Sequence, residues 1–76
     1  MVKELVEYIV KSLVDGPDAV RVACEQRDAG YCVTISVLDQ DRGRVIGRNG
    51  ETIRAIRALA SVVVPKDSDV TIEIAE

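Results

Sequence analysis

VIGRNG, residues 45–50, sets two glycines around a cation and an amide, directly ahead of the run ETIRAIRALA (51–60). Glycine reaches backbone conformations closed to other residues and lets another chain come close to the main chain. Gly47 and Gly50 therefore predict a tight turn between two helices. Such a turn opens onto a helix N-terminus, where backbone N–H groups lack intrahelical partners and the helix dipole favours an anion. Arg48 adds a charged fork and Asn49 an amide. The combination suits phosphodiester oxygens. A bare G-x-x-G is a weak signal. Here an apolar pair precedes it, a cation sits inside it, and an amphipathic helix and a strand follow.

Downstream, the helix is expected from about Glu51 to Val63, with Pro65 ending it. At about 100° per residue, Ile53, Ile56, Ala60 and Val63 make the stripe that should face a sheet. Arg54, Arg57 and Ser61 lie to one side, and Ala55, Ala58, Leu59 and Val62 to the other. DVTIEIA (69–75) reads as a strand with Val70, Ile72 and Ile74 on one face. Upstream, DQDRG (39–43) breaks the preceding strand, and Asp39 or Asp41 is expected to cap a short helix holding Arg44, Val45 and Ile46. YCVTISVL (31–38) alternates Tyr31, Val33, Ile35 and Val37 against Cys32, Thr34 and Ser36. AVRVACEQR (19–27) alternates Val20, Val22 and Cys24 with Arg21, Ala23 and Glu25. A turn at 28–30 makes these two strands a hairpin. Val2, Leu5, Val6, Ile9, Leu13 and Val14 recur at helical spacing before Gly16 and Pro17. The predicted order is α-β-β-α-α-β, an α+β fold.

A chain of 76 residues is one domain with a small margin of stability. Its 47% hydrophobic and 30% charged content is that of a globular chain. No apolar run approaches the ~20 residues of a membrane span. MVKELVEYIV (1–10) lacks a signal-peptide pattern, so a cytoplasmic location is expected. Cys24 and Cys32 read as small buried or half-buried side chains in neighbouring strands, not a disulfide. With no histidine, no metal site or other cofactor is expected. Catalysis is equally unexpected: a nucleophile motif and a G-x-x-x-x-G-K-[ST] phosphate loop are both missing, and Asp15, Asp18, Asp67 and Asp69 flank turns. The net charge is −3. Yet residues 41–57 hold Arg42, Arg44, Arg48, Arg54 and Arg57 against only Asp41 and Glu51. A cationic patch on an acidic body binds phosphates while discouraging indiscriminate contact.

DRGRVIGRNGETIRAIR (41–57) resembles the signature of the KH domain, a single-stranded nucleic-acid reader whose G-x-x-G loop clamps a short backbone stretch. With one helix and two strands before the loop and one strand after it, the chain resembles the type II arrangement, in a three-stranded mixed sheet with helices on one face. Its size is similar to that of the stand-alone bacterial KH proteins of the KhpA type. The resemblance implies an RNA chaperone or post-transcriptional regulator binding single-stranded RNA. Gly47, Arg48, Asn49 and Gly50 would clamp the sugar-phosphate backbone. Val45, Ile46 and Ile53, with part of the second strand, would floor an aliphatic groove for bases. Arg44, Arg54 and Arg57 would make peripheral phosphate contacts. Many single-strand readers stack bases on aromatics. This chain has only Tyr8 and Tyr31, neither in the motif, so modest affinity and loose sequence preference are expected. About two to three phosphate contacts would give a slope of log K against log salt on the order of −1.5 to −2.

The apolar side of the second long helix, Ala55, Ala58, Leu59 and Val62, reads as a partner surface. The resemblance implies a homodimer, or a heterodimer with a second KH-containing protein. The competing function is a KH-like protein-interaction module that dimerises through this helix and binds little RNA. Arg48 between the glycines is the feature that favours RNA.

Overall fold

The structure is a computed structural model and describes residues 1–75. Helix α1 spans Val2–Leu13, strand β1 Arg21–Arg27 and strand β2 Gly30–Ser36. Helices α2 and α3 span Arg42–Ile46 and Glu51–Val63, and strand β3 Asp69–Ile74. Single 3₁₀ turns at Pro17–Ala19, Asp39–Asp41 and Arg48–Gly50 join them. The predicted α-β-β-α-α-β order and the α+β class stand. Helix α3 stops where the sequence says it must. Val64, the residue before Pro65, is extended at φ −95° and ψ 162°, as the proline ring requires of its predecessor.

The sheet order is β1-β2-β3. β1 and β2 form the antiparallel hairpin, with Arg27 opposite Gly30 across a two-residue turn. β2 and β3 run parallel, from Gly30 beside Asp69 to Ile35 beside Ile74. A parallel neighbour needs a crossover, and α2 with α3 supplies it. β2 is thus the central strand, and β3 is an edge.

One sheet face carries the helices. Val22, Val33 and Ile35 are buried on it beneath Val6 and Val10 of α1, Val45 of α2, and Ile56 and Ala60 of α3. Tyr31, Val70, Ile72 and Ile74 pack around this cluster. Most of these residues are valine or isoleucine, and burying each contributes about 1.5–3 kcal/mol. The stripe on α3 departs from expectation at its end. Val63 is exposed, and Val64, extended ahead of Pro65, packs against the core instead. Among the described residues no helix is long and apolar enough to cross a membrane. Cys24 and Cys32 are both free and half-buried. Cys24 pairs with Val33 and Cys32 with Glu25, so the two thiols point to opposite sheet faces.

Candidate nucleic-acid interface

Three consecutive backbone choices build the loop. Gly47 has φ 77° and ψ 174°, a region essentially closed to residues with a Cβ. Asn49 is left-handed at φ 56° and ψ 25°, which asparagine tolerates better than most. Gly50 is left-handed at φ 77° and ψ 14°. The turn closes on itself. Gly47 N–H donates to Gly43 O at 2.8 Å, Gly50 N–H to Gly47 O at 3.2 Å, and Glu51 N–H to Arg48 O. Two amides at the mouth of α3 are therefore occupied by the turn's own carbonyls. The cradle of free amides expected at the start of α3 is reduced by these two, and Arg48 stands beside it as the loop's own cation.

The two glycines differ in purpose. A Cβ on Gly47 would collide with the side chain and backbone of Thr52, so this glycine lets the loop pack onto the first turn of α3. A Cβ on Gly50 would meet the tip of the Arg54 guanidinium, 3.0 Å away. That tip is flexible. Gly50 is held by its left-handed backbone more than by crowding, and the group it faces is a cation.

The cations fall into two sets. Arg48, Arg54 and Arg57 are exposed and make no ion pair or side-chain hydrogen bond among the described residues. Arg44 is engaged. Its Nη2 lies 3.2 Å from Asp15 Oδ2 and its Nε 3.9 Å from Asp41 Oδ1. Arg44 therefore belongs to the junction of α2 with the body before it belongs to any ligand.

Beside the loop, the space between α3 and β3 forms a shallow groove lined by Ile53, Arg54, Arg57 and Ile72. It widens toward Ser61, Ser68 and Thr71. Two expectations about its floor need correction. Val45 is fully buried in the core, because the short α2 turns it under the loop, so no base can rest on it. The strand beside α3 is β3, not the second strand, whose helix-facing Val33 and Ile35 are fully buried. Ile46 is exposed at the end of α2, and Ile53 is half-buried at the groove. Ile72 was legible only as strand periodicity. Its place opposite Ile53 depends on the parallel register.

The sequence also missed what Asp41 does. It precedes α2 but makes no side-chain cap there. Its carboxylate is fully buried, and it accepts from Asp15 N–H at 3.2 Å and Gly16 N–H at 3.1 Å. The opposite side of α3 agrees with expectation in exposure. Ala55, Ala58, Leu59 and Val62 are all exposed, Leu59 at 52% and Val62 at 77%, but Ala58 sits at the border and also lines the groove beside Arg54 and Arg57. No group of side chains among the described residues could hold a metal ion.

A mixed three-stranded sheet in α-β-β-α-α-β order, with a G-x-x-G turn joining the two consecutive helices, defines a KH domain of type II. The sequence profile "KhpA/KhpB, KH domain" matches residues 3–74, and the chain belongs to that family. The chain is 41% identical over 75 residues to the RNA-binding protein KhpA of Listeria monocytogenes, covering 97% of this chain and 99% of that one. Identity to the RNA-binding protein KhpA of Chlamydia pneumoniae is also 41% over 75 residues, covering 97% and 96%. The RNA-binding protein KhpA of Streptomyces coelicolor is 41% identical over 63 residues, covering 83% and 80%. No solved structure matches the chain significantly. The family is one of KH domains, not of enzymes.

Proposed function

We propose that this chain binds single-stranded RNA in the cytoplasm, as an RNA chaperone or post-transcriptional regulator. Gly47–Gly50 grips the sugar-phosphate backbone, and the bases lie toward the α3–β3 groove. The observation that carries this is the state of Arg48: exposed, free of any ion pair among the described residues, and held at the apex of a turn that Gly47, Asn49 and Gly50 fix. Arg54 and Arg57 extend the cationic line along the groove, Ile53 and Ile72 give it an aliphatic wall, and Ile46, exposed at the end of α2, would add to it. The names of the relatives support the same ligand. The test replaces Arg48 and Asn49 together by aspartate. Asn49→Asp keeps a residue that tolerates the left-handed backbone. Retention of an RNA oligonucleotide on a filter should be lost while the circular dichroism spectrum and melting temperature hold. Unchanged retention would leave a protein-interaction module as the better reading.

A second role is favoured by Leu59 and Val62, large apolar groups exposed side by side with Ala55 and Ala58 on α3. This face pairs two KH domains, either two copies of this chain or this chain and a second KH-containing protein. Pairing would link two weak RNA sites and raise avidity.

A further inference from the structure

Asp41 is the one buried charged side chain among the described residues. A carboxylate so placed is costly unless its oxygens are satisfied. Both are. Oδ1 accepts from Asp15 N–H and Oδ2 from Gly16 N–H. Arg44, one turn further along, lies near the same Oδ1 and reaches across to Asp15. The turn after α1 and the start of α2, far apart in sequence, are thereby joined at one point.

The position of that point matters for the loop. α2 is only five residues long, too short to hold itself as a helix. Its far end is Ile46, and Gly47 follows at once. α2 is held by Val45 in the core, by the exposed Arg44–Asp15 pair on its flank and by Asp41 at its head. Of the polar ties, only those to Asp41 end on a buried carboxylate. They restrict the head of α2, and with it the backbone that leads into Gly47. We infer that Asp41 is a positioning residue for the clamp, its buried carboxylate bonded to Asp15 and Gly16 holding α2 so that Arg48 is presented in one pose. It touches no RNA. The inference rests on the RNA-binding reading for its consequence, but the ordering of the loop can be measured without RNA.

The experiment compares wild type, Asp41→Asn and Val10→Ala. Asparagine keeps the shape of the side chain but turns one acceptor into a donor that faces an N–H. Val10→Ala weakens the fold from the core face of α1, at a residue outside the loop and outside the Asp41 hydrogen bonds. Amide hydrogen exchange in the RNA-free proteins comes first. In D41N the amides of Gly47 to Glu51 should exchange faster, relative to those of β1 and β2, than in V10A. Affinity for a single-stranded RNA oligonucleotide, measured where each protein is folded, should fall in D41N by about 3- to 10-fold, within the range of about 2- to 30-fold for changes acting through a packed network. In V10A it should stay at the wild-type value. Equal loop exchange in the two variants, or a wild-type affinity in folded D41N, overturns the inference. Should D41N not fold, wild type alone decides. Coupling is reciprocal, so RNA must slow exchange at Asp15 and Gly16 as well as in the loop. Protection of the loop with no change at Asp15 and Gly16 overturns the inference. If wild type binds no RNA, the functional reading falls, and the exchange comparison still tests the positioning role.

Discussion

The two sides of α3 differ in almost every respect. One side carries Arg54, Arg57 and Ser61 and looks into the groove beside β3. The other carries Ala55, Leu59 and Val62, exposed to solvent, with Ala58 at the border, where it also lines the groove. A surface helix of a small domain normally has one apolar stripe and a polar back. Here the stripe of Ile56 and Ala60 serves the core, and the remaining surface is split again, into a cationic strip and an apolar one. On the proposed reading, a single helix carries two contacts, one for a polyanion and one for another protein, on neighbouring arcs of the same cylinder that meet at Ala58.

That division can be broken most forcefully from the cationic side. Replacing Arg54 and Arg57 together by glutamate should weaken RNA binding by about 10- to 100-fold at low salt, since the groove then repels phosphates. Sedimentation mass should not change. If the mass changes as well, the two strips are not independent. Leu59→Arg is the complementary cut. If α3 pairs two copies as proposed, it should halve the sedimenting mass of the wild type and leave the affinity for an oligonucleotide short enough to fill one site within about twofold, as expected for a site the substitution does not touch. A third variant sharpens the comparison without reversing charge. Arg54→Gln with Arg57→Gln should flatten the slope of log K against log salt by about 1.4, two phosphates at about 0.7 each for a single strand. The smallest effect belongs to Arg44→Gln. An exposed pair such as Arg44–Asp15 contributes about 0.2–1 kcal/mol to stability, and the affinity should change less than twofold. A loss as large as that of Arg54→Gln would return Arg44 to the interface.

Much of this was legible in the sequence, for identifiable reasons. Thirteen residues of α3 show their period plainly, and Pro65 marks its end. The hairpin announced itself by alternation on both strands. The glycine loop carried its own backbone signature. What stayed hidden were facts that depend on partners distant in the chain. Val45 sits on a helix of five residues, too short to display a face, so its burial could not be read from spacing. Asp41 had the look of a helix cap, and only the fold brings Asp15 and Gly16 to it. Thr52 against Gly47 depends on how the turn closes. The place of β3 beside α3, and so the identity of the groove wall, follows from the parallel register and not from the order of strands.

That register also bears on when the interface comes into being. The ladder between Gly30 and Asp69 spans α2, the loop and α3, and contacts so far apart in sequence are late and slow to form. A ribosome-bound chain that has emerged only as far as α3 would hold every arginine discussed above and yet have no groove. Recognition is then tied to completion of the sheet. An immature chain would hold its cations without the wall that turns them into a reader.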